Sequence, residues 1–173
     1  MFRSKKLLLS LVLMLGGGLG KAGLLRAQAS EDKVKAVFIY SFVKYVEWNH
    51  PGSIITIGVY GNDDVLSILQ NDLPGKKLQG KSIEARRIQS ASEAQECQVV
   101  YLPKTNSAHL SEVVAATRRK ESLVVTEEDL AAQGAGISFV KHDSKLGFVI
   151  NKKVLELNQL KVVPTLYNVG KVL

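Results

Sequence analysis

The sequence predicts an α/β fold, a three-layer α/β/α sandwich around a mostly parallel sheet of about six strands with an antiparallel hairpin at one edge. Three observations predict it. Ile54–Tyr60 and Cys97–Leu102 are near-continuous apolar runs of strand length, as expected of strands buried on both faces. Segments of helical period alternate with such runs. Near the end, two apolar runs are separated by a loop too short for anything but a hairpin.

Each element follows in order. From Glu31 to Trp48, Val34, Val37, Phe38, Phe42, Tyr45, Val46 and Trp48 recur at helical spacing and predict a first helix with one broad apolar stripe. Pro51-Gly52 ends it, and Ile54–Tyr60 is the first strand. Gly61-Asn62-Asp63-Asp64 reads as a turn, with Asn62 as cap and two acids in the first turn of a helix reaching Asn71. Pro74-Gly75 closes that helix. Ser82–Ile88 is a second strand, and Cys97–Leu102 is a third, its apolar character placing it centrally. A helix is expected over Asn106–Arg118, a strand over Leu123–Val125 and a short helix over Glu127–Ala132. Gly134-Ala135-Gly136 breaks the pattern, and Ile137–Val140 and Leu146–Ile150 form the hairpin. Val154–Leu160 and Pro164 to the end are read as helices.

The 173 residues, 46% hydrophobic and 23% charged, suit a single domain with an ordinary core. Residues 1–29 read as a secretory signal: Arg3, Lys5 and Lys6 precede the apolar run Leu7–Leu15, and Ala27-Gln28-Ala29 has the form a signal peptidase accepts, with cleavage after Ala22 as the rival. The run is too short for a confident membrane span. Residues 30–173 are then the single folded domain, exported, soluble and not inserted in the membrane after cleavage. The leader holds five basic residues and no acid, so the net charge of +7 falls to +2 for the remainder. Such a small excess gives no reason to expect nucleic-acid binding.

Cys97 is the sole cysteine, which rules out an intramolecular disulfide and reads as a buried small hydrophobe. His50, His109 and His142 lack metal-ligand spacing, so no metal or other cofactor is expected. Gly75-Lys76-Lys77-Leu78-Gln79-Gly80-Lys81-Ser82 has the letter spacing of a phosphate-cradling loop. Its context is reversed, with a helix before and a strand after, so the backbone N–H groups and helix dipole that phosphate binding needs are not assembled. No nucleophile elbow occurs, and Glu127, Glu128 and Asp129 are explained by a helix start, so an enzyme is not expected.

The run Lys35-Ala36-Val37-Phe38-Ile39-Tyr40-Ser41-Phe42-Val43-Lys44-Tyr45-Val46-Glu47-Trp48 resembles the opening motif of the YfiR-like family of periplasmic proteins. Ile57–Gly61, Gly80–Ile83, Gly134–Phe139 and Phe148–Asn151 are similar to later blocks of that family, in the same order. The resemblance implies a sheet with helices on both faces and regulation by protein contact rather than catalysis. The family's namesake restrains a membrane-bound diguanylate cyclase from the periplasmic side. By that similarity the expected partner is the periplasmic domain of a membrane signalling protein, with a second copy of the chain as a further candidate and cyclic-di-GMP as the affected output. Redox control through disulfides does not carry over to a chain with one cysteine.

Two sets of site residues are expected. Tyr45, Trp48, Phe148 and Asn151, from the aromatic first helix and the closing hairpin, are the candidate partner contacts. Gly61, Asn62, Asp63 and Asp64, facing the loop Lys104–Ser107 beyond the carboxyl ends of the strands, are a candidate small-ligand crevice.

Overall fold

The computed structural model describes residues 19–49 and 52–173. Residues 1–18 of the expected leader, His50, and Pro51 of the expected helix stop lie outside them. The first helix, α1 (Leu19–Tyr45), starts upstream of Glu31, because Ala22 to Ala29 are strong helix formers with no breaker among them. It ends at Tyr45 rather than Trp48, since β1 (Val46–Glu47) pairs antiparallel with β9 (Lys161–Val162).

Next come β2 (Ile54–Tyr60), α2 (Asp64–Asp72), the short β3 (Lys77–Leu78), β4 (Lys81–Ile88), a single-turn α3 (Ala91–Ala94) and β5 (Val99–Leu102). A 3₁₀ segment, Lys104–His109, leads into α4 (Leu110–Thr117) and β6 (Leu123–Thr126). The chain closes with β7 (Ile137–His142), β8 (Lys145–Ile150), α5 (Lys152–Leu157), β9, α6 (Pro164–Val169) and β10 (Lys171–Val172). Where a final helix was expected, the chain turns extended at Gly170 and Lys171–Val172 join β8. Gly170 permits this because a Cβ there would run into the Phe148 ring.

Among the described residues the main sheet has the order β10-β8-β7-β6-β5-β2-β4-β3. Its central pairs, β4-β2, β2-β5, β5-β6 and β6-β7, are parallel, and β7-β8 is the antiparallel hairpin, so the predicted α/β architecture holds. The hairpin turns through Asp143 and Ser144 alone, both left-handed (φ 46° and 65°), as two-residue hairpin turns require. The phosphate-loop look-alike is likewise a β3-β4 hairpin, turning at Gln79 and Gly80 with φ of 51° and 82°.

Two apolar layers flank the sheet. On one face α1, α2, α5 and α6 cover Ile55, Ile57, Val59, Val99, Tyr101, Val125 and Ile137. On the other, α3 and α4 cover Tyr60, Ile88, Val100, Leu102 and Val124. The apolar phase of α1 differs from the expected stripe. Ala36, Ile39, Phe42, Val43 and Val46 are buried, whereas Val34, Val37 and Tyr45 face outward. Both faces of the helix carry apolar residues, and only those in register with Ile39 and Phe42 meet the sheet.

Phe148 belongs to that core. It is 3% exposed, with Phe38 and Phe42 edge-on at centroid distances of 5.4 and 5.0 Å, and is not an open partner contact. Truncating such a ring removes its burial and leaves a cavity, so Phe148→Ala is expected to lower stability by about 3–5 kcal/mol. Urea denaturation measures it, and a loss below about 1 kcal/mol would contradict the core placement.

Candidate functional site

Strand order reverses between β2 and β5. The chain leaves β2 for α2 on one face and leaves β5 for α4 on the other, so the loops diverge at the carboxyl ends of these strands. Gly61 takes φ +76° there, and its N–H bonds Ile88 O at 2.8 Å. A Cβ on Gly61 would lie 2.9 Å from Asn106 Oδ1, so the Asn106 side chain fills the space directly over it. The cap of α2 is Asp63, not Asn62: its carboxylate accepts the Val65 N–H at 2.9 Å. Asn62 and Asp64 are exposed. Of the expected crevice residues, Asp63 alone turns toward a larger polar assembly.

That assembly centres on Lys35, which the sequence reading left out. Lys35 is 1% exposed on the inner face of α1, and its Nζ meets Glu127 at 2.6 Å, Asp32 at 2.9 Å and Glu31 at 3.4 Å. Three donors find three carboxylates. Glu127 also accepts the Lys104 N–H at 2.7 Å, and Glu31 pairs with Lys141 at 2.7 Å, so the cluster joins α1 to the loops after β5 and β6 and to β7. Burial disfavours the ammonium, but the hydrogen bonds it donates to Glu127 and Asp32 outweigh this and hold Lys35 well above the ordinary lysine range. Burial also opposes the charge on Glu31, yet Lys141 and Lys35 bring its pKa below the usual carboxylate value. Asp63 goes the other way, raised by burial and by the nearby charges of Glu127 and Asp32.

Beneath these groups lies Tyr101 on β5, fully buried on the α1 face. Its hydroxyl meets no hydrogen-bonding partner among the described residues. Burial, then the charges of Glu127, Asp63, Asp32 and Glu31, keep it protonated by pushing its pKa far up. Beside the cluster a cleft of about 460 Å³ opens to solvent. Glu31, Lys35, Lys104, Glu127, Glu128, Asp129 and Lys141 form its polar side, and Phe139, Val140 and Leu146 its apolar wall. It lies over β7 and the loops after β5 and β6, next to the expected crevice rather than in it. No group of three or more His, Cys, Asp or Glu side chains is arranged to hold a metal ion among the described residues.

Glu127, Glu128 and Asp129 do not start a helix. They form a bend, followed only by a 3₁₀ turn at Ala131–Gln133, because Leu130 N–H goes to Ser138 Oγ and Glu128 O instead of into a helix. Glu127 and Glu128 are occupied by Lys35, the Lys104 N–H and Ser107 rather than by a dipole.

The expected partner contacts separate. Tyr45 is open, at 39% exposure, on the outer face of α1. Trp48 is half-buried, its Nε1 donating to Val43 O at 2.8 Å. Asn151 is spent locally, since it caps α5 through Val154 N–H and donates to Ala131 O. Cys97 is buried, and burial raises its thiol pKa, as a structural cysteine requires.

The sequence profile of the YfiR/HmsC-like family matches residues 32–171. No curated protein matches. Among solved structures, the ABC domain from Streptococcus pneumonia, determined in complex with L-Trp, superposes with a TM-score of 0.54 at 13% identity over 82% of this chain and 60% of that one. A conserved domain protein from Vibrio cholerae o1 biovar eltor str. n16961 gives 0.52 at 14% identity over 82% and 59%. The chain spans about three fifths of each neighbour, and such identities show the fold alone. No described helix is long and apolar enough to cross a membrane.

Removing the Lys35 ammonium strands Asp32 and Glu127, so Lys35→Met is expected to cost about 3–5 kcal/mol in chemical denaturation. Asp63→Asn keeps a capping oxygen and removes one charge from a crowded set. Because the folded protein raises the Asp63 pKa, ionised Asp63 works against the fold, and falling pH relieves this as the native group protonates. Asp63→Asn should therefore melt at or above the wild-type temperature at pH 7, with the difference shrinking as pH falls toward the ordinary carboxylate value. A variant less stable at pH 7 than at pH 4, relative to wild type, would contradict that sign.

Proposed function

The chain belongs to the YfiR/HmsC-like family, and from that membership we propose that it is a periplasmic regulator, exported by its leader, that restrains a membrane-bound signalling protein by contact. A diguanylate cyclase, and hence cyclic-di-GMP, is the expected target. The supporting observation is the outer face of α1. Val34, Val37 and Tyr45 are 41%, 55% and 39% exposed along one line of the helix, while the inner face is committed to the core. Exposed apolar side chains aligned on a rigid element fit a docking surface better than solvent does.

A second reading, a small-molecule receptor, is favoured by one feature: an open cleft of about 460 Å³ with a charged side and an apolar wall. A thermal-shift screen of periplasmic metabolites tests it, and a blank screen counts against it.

The regulatory reading is tested in the cell that carries the gene. Deletion is expected to raise cyclic-di-GMP, and the wild-type chain to restore it. Val37→Glu places a charge on the proposed contact, so it should bind the partner at least about tenfold more weakly and fail to restore, at normal abundance and Tm. A photo-crosslinker at Val37 should capture an inner-membrane signalling protein. Full restoration by Val37→Glu would overturn the assignment of this face.

A further inference from the structure

The outer face of α1 borders a shallow groove against the end of α2. Ala36, Leu69 and Leu73 floor it, all buried, and the exposed Val37 forms its lip. At about 30 Å³ it takes the tip of one apolar side chain and is far below the size of a metabolite pocket. Tyr40, one turn beyond Val37 on α1, lines the same groove, and the ammonium groups of Lys44 and Lys76 stand over its ring at 5.2 and 4.7 Å from the centroid.

An exposed valine needs no explanation by itself. The two lysines are the independent observation. Both are exposed, and neither meets a carboxylate among the described residues, whereas Lys35 and Lys141, on the cleft side, are ion-paired. The face of an aromatic ring attracts an ammonium group but carries no net charge, so Tyr40 gathers two like charges without cancelling them. Lys33, one turn before Val37, and Lys77, next to Lys76, are exposed and likewise without an ion pair. Asp72 is the one acid among the described residues that line the groove. An apolar lip thus stands beside a positive surplus, and an anion next to an apolar side chain is its complement.

Resting on the regulatory reading, we infer that this groove takes an acidic-apolar segment of the partner protein. A branched aliphatic side chain seats against Val37, Leu69 and Leu73, and an aspartate or glutamate about one helical turn away is held by Lys44 and Lys76. The spacing follows from α1 itself, since Tyr40 lies three residues past Val37, about 4.5 Å along the axis. A protein segment fits better than an anionic bilayer. Helices that lie on membranes bury a broad Trp, Phe or Leu surface, whereas this face offers valines and tyrosines around a narrow groove, with Asp72 at its edge to repel phosphate.

The probe is p-benzoylphenylalanine at Val34 of the full chain, one turn from Val37 so that the groove stays intact, photolysed in the cells that carry the gene. The captured segment is read by mass spectrometry. Lys44→Glu with Lys76→Glu should cut capture of the partner at least about tenfold, and Lys44→Arg with Lys76→Arg should keep it. Lys44→Gln with Lys76→Gln, which adds no repulsion with Asp72, should cut it about threefold or more. Tm should stay near wild type in all three, because neither lysine is ion-paired. Exchanging one acid of the captured segment for lysine should weaken capture by the wild type and restore it for the double Glu variant, since the swap rebuilds an opposite-charge pair. Undiminished capture of the same partner by the double Glu variant, or no rescue by any such exchange, would overturn the acidic segment and leave the regulatory reading standing. Capture of a second copy of this chain instead would overturn the inference. So would sedimentation with vesicles of equal phosphatidylcholine and phosphatidylglycerol that the double Glu variant loses. No capture from Val34 or Val37, with cyclic-di-GMP unchanged on deletion, would sink the regulatory reading and the inference with it.

Discussion

An ammonium group taken out of water costs roughly several kcal/mol unless carboxylates replace its lost hydration, and Lys35 is buried where Asp32, Glu31 and Glu127 do so. Two of these acids come from its own helix and the third from the far side of the sheet rim. The pairing is therefore both local and long-range: it fixes the side chain against α1 and fixes α1 against the loop after β6. Apolar packing by Ile39, Phe42 and Val43 would tolerate some sliding of the helix, whereas three directional contacts on one nitrogen do not. The position of the inner cleft wall, and of the outward stripe of α1, follows from that restraint.

The rim itself follows from topology. A parallel sheet brings the carboxyl ends of β2, β5, β6 and β7 to one edge, so residues just beyond each strand, Asp63, Lys104 and Glu127, converge though they are far apart in sequence. α1 crosses above them with Asp32 and Lys35. Charges that read singly as helix caps or solvated loop residues become one network.

The strands were legible in the sequence because burial on both faces demands continuous apolar runs: Ile54–Tyr60 emerges residue for residue, and the hairpin and the reversed context of the phosphate-loop look-alike were equally plain. Short helices were harder. Glu127–Ala132 has the composition of a helix start, but Ser138 takes the Leu130 N–H, a long-range bond that local propensity does not foretell. Phe148 and Asn151 look like contacts in the sequence because an aromatic residue and an amide are equally suited to a core and cap or to an interface, and only tertiary packing decides. The cluster at Lys35 left a signal that helical phase would have found: Asp32 and Lys35 fall in step with Ile39, Phe42 and Val46, so a charged pair was due on the buried face. Tyr101 left none, since an unpaired hydroxyl within an apolar strand looks like core.

The two functional readings meet on one helix. Glu31, Asp32 and Lys35 line the inner side, and Val34 and Val37, their immediate neighbours in the chain, form the outer one. A molecule in the cleft alters contact with a partner only if it binds two arrangements of α1 with different affinity. The ion network supplies the means for such a difference, because the positions of Asp32 and Glu127 relative to one another set both how Lys35 is held and how much negative charge faces the cleft. Were α1 attached by apolar packing alone, occupancy of the cleft would have no lever on the helix. With Lys35 shared between helix and sheet, any change in the charge balance at the cleft acts on the same contacts that hold the docking face in place.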